Sequence, residues 1–358
     1  MIQAYRLAKL LIVSILILLS YFYYALTFIR NRLFDLKLFK ARKLETIVIS
    51  IGNISTGGTG KTPIVVYVSS YLKKLGYKVG IVSRGYKRKT RGFLLVSSGE
   101  GPIHSWEKSG DECYMMSEIL KGIPIVVDKS RYRGGKFLIK KFGVDIIVLD
   151  DGFQHRNLHR DVDILVINAR EKSISLKMLP FGNLREPFYN IQRSDIILTS
   201  KMDPDKYLNN LLKKVSIPKF RVKANPSISK NLNNRKSIRL RGKGVFAFSG
   251  IGDPGHFIET AEGMGCNILG HKNFPDHFTY SLADIKSIKQ ESDKLNVDYI
   301  ITTEKDWVKI APIKPDFLII PIGLELNVIN EIEFFKIIKK VIISEPSPKQ
   351  KRRQQKLT

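Results

Sequence analysis

The residues Ser55-Thr56-Gly57-Gly58-Thr59-Gly60-Lys61-Thr62-Pro63 follow directly on the apolar run Ile47-Val48-Ile49-Ser50-Ile51. A glycine loop between a strand and a helix turns main-chain N–H groups, at the positive end of the helix, toward anionic oxygens. The chemistry this indicates is the binding of a nucleotide's phosphate chain over Thr56, Gly57, Gly58, Thr59, Gly60, Lys61 and Thr62. Lys61 would reach the outer phosphates and the Thr62 hydroxyl would hold Mg²⁺. The glycines let the backbone approach closely, and Pro63 falls in the first helical turn, where an N–H has no helical partner to lose. Ser55 stands where the pattern G-x-x-x-x-G-K-[ST] has its first glycine, which departs from the pattern more than from the mechanism. The alternative is an ordinary glycine-rich turn; the strand before it and the Lys-Thr and helical pattern after it argue against that.

Carboxylates occur where such a site needs them. Asp150 and Asp151 close the apolar strand Ile146-Ile147-Val148-Leu149 and run into Gly152-Phe153-Gln154-His155. A P-loop enzyme keeps the acid that holds Mg²⁺ or its water at such a place, and this is also the ligand-binding edge of an open α/β sheet. Gly110-Asp111-Glu112 precedes the helical pattern Tyr114, Met115, Ser117, Glu118, Ile119; on spacing alone, acids there read as helix-start residues. His277, in Phe274-Pro275-Asp276-His277-Phe278, reads by itself as a structural histidine. Arg84-Gly85-Tyr86, Arg131 and Arg133 can meet phosphates or be surface cations. Ser200-Lys201-Met202-Asp203 has the look of a base-reading loop of GTPases, on a short match.

Composition bounds the partners. The 358 residues suffice for two domains with their own cores, and a hydrophobic content of 43% argues against wholesale disorder. A formal charge of +27, from 60 Lys and Arg against 33 Asp and Glu, favours a polyanion: nucleic acid, nucleotide or an acidic membrane face. Cys113 and Cys266 are far apart and belong to no Cys/His cluster, so neither a disulfide framework nor a zinc site is indicated, and the expected compartment is reducing.

The N-terminal segment narrows the choice. Leu10 to Ile29 is 20 residues without a charge, followed by Arg30, Arg32, Lys37, Lys40, Arg42 and Lys43. Twenty helical residues match the ~30 Å hydrocarbon core of a bilayer, and Tyr21, Tyr23 and Tyr24 suit its interface. The basic flank predicts that everything downstream is cytoplasmic. A secretory signal is the rival, opposed by the length of the run, the following cations and the lack of an A-x-A cleavage pattern. A helix lying in the membrane surface would satisfy the same residues. The basic tail from Lys349 reads as a solvated end.

After this segment, β-branched apolar runs alternate with helical patterns, the signature of a mostly parallel sheet covered by helices on both faces. Candidate strands are Ile47 to Ile51, Val79 to Ser83, Ile123 to Val127, Asp145 to Leu149, Val162 to Ile167 and Asp195 to Thr199. Their nearly continuous hydrophobicity implies burial on both faces. Between Ile217 and Lys243 the composition shifts to Pro, Asn, Ser and basic residues, with alternating pieces at Phe220 to Lys223 and Ser237 to Leu240. A second strand, glycine turn and helix begin at Val245, and Tyr299 to Thr303 and Phe317 to Ile322 continue the pattern. The expected organisation is a membrane helix over 1–30, a P-loop domain over 31–216, a hinge over 217–243, a smaller α/β domain over 244–345 and a disordered basic tail over 346–358.

Five motifs stand in order: Gly52 to Pro63, Ser83-Arg84-Gly85-Tyr86, Gly110-Asp111-Glu112, Leu149-Asp150-Asp151-Gly152-Phe153-Gln154-His155 and Phe274-Pro275-Asp276-His277. In that order the chain resembles the tetraacyldisaccharide 4'-kinases, the lipid A 4'-kinases, over nearly its whole length. The resemblance implies a membrane-bound kinase moving the γ-phosphate of ATP to the 4'-hydroxyl of a tetraacylated glucosamine disaccharide 1-phosphate to give lipid IVA. It further implies that Asp111 and His277 take the proton from the sugar hydroxyl, the histidine arriving from the second domain on closure. Lys61 would neutralise charge, and Thr62, Glu112 and Asp150 would hold Mg²⁺. Asp151, Gln154 and Arg131 would surround the nucleotide. Phe278 departs from the family where a second histidine is often found.

The resemblance implies ATP, the lipid and the membrane surface as partners, with no nucleic acid and no obligate protein partner. Two other classes remain open. A membrane-tethered P-loop NTPase switch would need no Asp111–His277 pair. A basic nucleic-acid-binding protein would need a reading motif that the chain does not show.

Overall fold

The computed structural model describes residues 2–170, 176–200, 204–229 and 238–344, with side chains from Tyr5 onward. Lys201-Met202-Asp203 of the candidate base-reading loop, Ser237 of a candidate strand and the basic tail lie outside the described residues.

In chain order the elements are α1 (Ile2–Asp35), β1 (Ile47–Asn53), α2 (Lys61–Lys74), β2 (Val79–Ser83), β3 (Leu94–Ser97), α3 (Trp106–Ser109), α4 (Asp111–Ile119), β4 (Ile125–Val127), α5 (Arg131–Phe142) and β5 (Ile146–Asp150). There follow β6 (Val162–Asn168), β7 (Ile196–Ser200), α6 (Lys206–Lys213), β8 (Lys219–Ile228), β9 (Gly244–Ser249), α7 (Pro254–Gly263), β10 (Asn267–Asn273), α8 (Leu282–Lys294), β11 (Tyr299–Thr303), α9 (Glu304–Ile310), β12 (Ile319–Val328) and α10 (Glu331–Ser344). All six strands expected in the first part of the chain are present. β3 and β10 were not foreseen: β3 is only four residues long, and β10 alternates exposed with half-buried positions, so neither shows a buried apolar run.

Contacts divide the chain into two compact units, each discontinuous in sequence: residues 1–82, 130–223 and 327–358 form the first, 83–129 and 224–326 the second. The expected boundaries are contiguous, because a hydrophobic pattern reveals that a strand exists and not which segment it pairs with. In particular, Asp111 shares a unit with His277 rather than with the phosphate loop.

The first unit carries a parallel sheet in the order β8-β7-β6-β1-β5-β2. Every residue of β1, β5 and β7 is buried, as a sheet covered by helices on both faces requires. β1 lies between β5 and β6, with Ile51 in register with Asp150, so the glycine loop and the aspartate pair leave neighbouring strands at the same edge. The second unit holds the parallel order β10-β9-β11-β12 and the antiparallel pair β3 and β4. Two apolar clusters flank its parallel strands, one around Val245, Ala247 and Ile301, the other around Phe246, Phe248 and Ile300.

The helix α1 meets the rest of the first unit along one stripe of its C-terminal half. Ser20 donates to the carbonyl of Met178 at 3.0 Å, Tyr23 to that of Arg185 at 3.0 Å, and Arg30 to that of Gln154 at 2.6 Å. Asn31 donates to Glu186 Oε2 at 3.0 Å. The spacing of Ser20, Tyr23, Thr27, Asn31 and Phe34 is that of one helical face. Leu10, Leu18 and Tyr21 remain about two-thirds exposed.

Candidate active site

The phosphate loop is braced from beneath. Asn53, buried at the end of β1, donates its Nδ2 to the carbonyl of Ser55 at 2.6 Å and to Thr59 Oγ1 at 3.1 Å. Ser200, at the end of β7, donates to the carbonyl of Thr59 at 2.8 Å. Gly60 then caps α2 with φ 79°, a left-handed conformation in which a side chain is strained. A Cβ built on Gly57 or Gly58 meets nothing within 4 Å, so the main chain there is open to approach. Thr56 is tied back through its N–H to the carbonyl of Asn183 at 2.7 Å.

Behind the loop, Asp151 collects the cations. Its carboxylate lies 3.5 Å from Lys61 Nζ, and Arg185 Nη1 donates to its two oxygens at 2.9 and 3.0 Å. Burial alone would raise the Asp151 pKa, but Lys61, Arg185 and Arg131 outweigh it and hold the carboxyl below its ordinary range. Asp151 also adopts φ 55°, uncommon for a residue with a side chain although tolerated by aspartate. Gln154 reaches the carbonyl of Asn53 at 2.8 Å and Glu186 at 3.0 Å, and accepts from Arg185 at 3.3 Å. Arg131 is buried and points to the carbonyl of Asp150 at 3.5 Å, so it supports the strand end from within. Arg84 and Arg133 are exposed.

Thr62 and Asp150, both buried in this unit, offer a hydroxyl and a carboxylate from the elements that leave β1 and β5. An all-oxygen set with few protein ligands suits Mg²⁺, which keeps its waters and phosphate oxygens. Glu112 belongs to the other unit, where its carboxylate lies 3.7 Å from Lys305 Nζ.

In the second unit, Asp111 and Glu112 open α4, and the Asp111 Oδ1 accepts the Glu112 N–H at 2.9 Å. This is the helix-start role expected from spacing. The other oxygen does more: Oδ2 lies 2.7 Å from His277 Nδ1. Both side chains are largely buried, and His277 sits at φ 65°. Gly250 fixes this geometry, since its carbonyl accepts the His277 N–H at 3.1 Å and its own N–H donates to Asp306 Oδ2 at 2.9 Å. A Cβ there would lie 3.1 Å from Phe278 and from the Tyr280 hydroxyl. The Tyr86 ring packs edge-on against His277 at 5.5 Å between centroids.

Asp306 belongs to the start of α9. Thr303 caps that helix, accepting the Asp306 N–H at 3.1 Å and donating to its Oδ2 at 2.7 Å. Its Oδ1 pairs with Lys309 at 2.7 Å, both side chains fully buried. The helix thereby presents Lys305, whose Nζ lies 3.1 Å from Asp276 Oδ1, 3.3 Å from His277 Nε2 and 4.0 Å from Asp111 Oδ2. For Asp111, burial raises the pKa, but the His277 hydrogen bond and the Lys305, His277 and Lys309 charges prevail and leave it below the ordinary range. For Lys305, burial is outweighed by Glu112, Asp111 and Asp276, which hold its pKa above the usual lysine value. Asp306→Ala is expected to cost about 3–5 kcal/mol, because the Lys309 ammonium would be left buried without its partner. The loss should appear as a lowered midpoint in thermal unfolding.

The sequence reading did not single out Arg185, Glu186 or Lys305. The first two follow the Pro- and Gly-containing stretch Leu179 to Leu184 and match no nucleotide pattern. Lys305 could have been found by the reasoning applied to Asp150, since Thr303-Glu304-Lys305-Asp306 likewise follows an apolar strand.

The family model for tetraacyldisaccharide-1-P 4'-kinase (LpxK) matches residues 12–343. The chain belongs to the tetraacyldisaccharide 4'-kinase family. Its relatives include the tetraacyldisaccharide 4'-kinase of Aquifex aeolicus, 37% identical over 83% of this chain and 90% of that protein. That of Chlorobium limicola is 38% identical over 78% and 82%. The crystal structure of "apo" form LpxK from Aquifex aeolicus in complex with ATP superposes with a TM-score of 0.75 at 32% identity, covering 92% of this chain and 99% of that one. The P-loop α/β fold, the smaller second α/β part and the N-terminal apolar helix expected from the sequence are those of this family.

Proposed function

We propose that this chain transfers the γ-phosphoryl group of ATP to the 4'-hydroxyl of a tetraacylated glucosamine disaccharide 1-phosphate, forming lipid IVA on the route to lipid A. The observation that carries this reading, beyond family membership, is the Asp111–His277 pair. A nucleotide switch has no use for a buried carboxylate kept ionised beside a histidine, whereas a kinase must take a proton from an alcohol. Main-chain N–H groups of 57–61 would hold the phosphates. Lys61 would meet the charge that develops on the γ-phosphoryl oxygens, with Arg185 and Asp151 fixing the lysine's direction. As the P–O bond to ADP breaks and the sugar oxygen joins phosphorus, the hydroxyl proton passes to Asp111.

Such a transition state is loose, so a carboxylate of low basicity suffices: the proton leaves late. Thr62 and Asp150 would hold Mg²⁺, which when bound would neutralise the phosphate oxygens. Gln154 would orient groups around the phosphates, and Arg131 would support Asp150 from behind. Detergent-solubilised protein given ³²P-labelled ATP and the disaccharide 1-phosphate should yield a labelled lipid. Nucleotide hydrolysis without labelled lipid would point to the switch.

We further propose that α1 lies in the membrane interface, on the cytoplasmic face of the inner membrane, and does not cross it. The uncharged run is divided: from Ser20 onward one face is committed to the first unit, and Lys9 bounds the other end. The undocked stretch between them rises only about 15 Å, half of the ~30 Å needed to span. In proteoliposomes with the catalytic domains outside, R6C is expected to react with a membrane-impermeant maleimide. Cys113 and Cys266 are buried and give little background. Protection of position 6 until detergent is added would establish a spanning helix.

A further inference from the structure

We propose that α1 is a working part of the nucleotide site: Ser20 and Tyr23 are positioning residues that seat the segment 177–186 and, through Arg185, set the Asp151–Lys61 pair beside the phosphate loop. The inference rests on the kinase reading above and goes beyond the membrane contact proposed there for the same helix.

The segment is held from two sides. On one side it is footing for the phosphate loop: Arg185 donates its N–H to the carbonyl of Ile54 at 2.8 Å, the Asn183 carbonyl accepts the Thr56 N–H at 2.7 Å, and Leu184 bridges to Ser55. On the other side it meets α1. The buried Ser20 hydroxyl donates to the carbonyl of Met178 at 3.0 Å and accepts the Phe181 N–H at 3.1 Å, using a hydroxyl's donor and acceptor capacity together. One turn further along, Tyr23 donates to the carbonyl of Arg185 at 3.0 Å. Between these holds the segment closes on itself. Leu184 donates to the Lys177 carbonyl and Gly182 to the Met178 carbonyl, each at 2.8 Å, and a Cβ on Gly182 would collide with the carbonyl of Lys177. A shift at Met178 or Phe181 is therefore passed on to Asn183 and Arg185.

Arg185 is where the three parts meet. Its N–H holds the entry to the phosphate loop, its carbonyl is held by Tyr23, and its guanidinium holds Asp151 at 2.9 and 3.0 Å, with Lys61 Nζ 3.5 Å from that carboxylate. An interfacial anchor needs an apolar surface, which α1 supplies at the exposed Leu10, Leu18 and Tyr21. Anchoring makes no demand for hydroxyls aimed at Met178 and Arg185. Removing them leaves main-chain groups of the segment without those partners, and the looser segment then holds the phosphate loop less firmly.

The test is calorimetric titration of the full chain in detergent with ATP, and no lipid acceptor, together with sedimentation on phosphatidylethanolamine–phosphatidylglycerol vesicles. The double variant Ser20→Ala/Tyr23→Phe should raise the Kd for ATP by about 5- to 50-fold, since three hydrogen bonds are lost and each typically shifts an equilibrium several-fold. Its vesicle binding should stay at the wild-type level. Ser20→Thr keeps the hydroxyl and should bind ATP nearly as wild type does. Leu10→Ser/Leu18→Ser, on the exposed face, should do the reverse, weakening vesicle binding and leaving the Kd for ATP unchanged. A folded Ser20→Ala/Tyr23→Phe protein with the wild-type Kd for ATP would overturn the proposal. A second measurement needs no variant to fold: by reciprocity of linkage, saturating ATP should slow amide hydrogen exchange in residues 20–34 of the wild type. Exchange there unaffected by ATP would also overturn it. A wild type that binds ATP but labels no lipid would instead overturn the kinase reading, so the two failures are distinct.

Discussion

Asp111→Asn is expected to lower kcat by roughly 10²- to 10⁴-fold, the usual worth of a positioned general base, with KM for ATP little changed. The asparagine amide matches the carboxylate in shape and can still accept the His277 N–H through its oxygen, so packing beside α4 is kept. What it lacks is a lone pair basic enough to receive the hydroxyl proton. Steady-state kinetics with the lipid acceptor, alongside circular dichroism to verify folding, would measure this. A folded Asp111→Asn enzyme within threefold of wild type would remove Asp111 from the chemistry.

The pH dependence follows from the same carboxylate. Its folded pKa lies below the unfolded value, so its contribution to stability is present above the ordinary aspartate pKa of about 3.9 and is lost as pH falls through the folded value. Between about pH 5 and about pH 9 Asp111 stays ionised and should put no inflection into kcat/KM.

Lys61→Ala is expected to lower kcat by roughly 10²- to 10³-fold, the scale set by removing one preorganised charge from a water-poor site. The protein should remain folded, because Lys61 is half-buried and its partner Asp151 keeps the Arg185 ion pair. The lysine sits at the first position of α2, where the chain direction depends on Gly60 and the Asn53 and Ser200 braces and not on the side chain. Single-turnover phosphoryl transfer is the decisive measurement. Near-normal turnover by a folded Lys61→Ala protein would remove the phosphate role from the loop.

Much of this was legible in the sequence, for stated reasons. β1, the glycine loop and α2 announce themselves because a doubly buried strand must be apolar throughout and a phosphate loop must be rich in glycine. The Asp150-Asp151 pair is legible by the same rule, as polar residues ending an apolar run. The partnership of Asp111 with His277 was reachable only through family resemblance, since they are far apart in sequence and each has an ordinary local explanation. Arg185 and Lys305 escaped because one meets its partner across a loop without periodicity and the other across the pairing of α4 with α9. The unit boundaries escaped for a related reason: sequence displays strands in chain order, whereas units are defined by which strands meet.

That interleaving bears on how the protein is made. The stretch 83–129, which carries Asp111, leaves the ribosome well before 224–326, the rest of its own unit. At a synthesis rate of about 5–20 residues per second, roughly a hundred intervening residues impose a wait of about 5–20 s. Throughout that interval the side of α4 that packs on α9 has no native partner, and a nascent chain in this state is a natural client for chaperones.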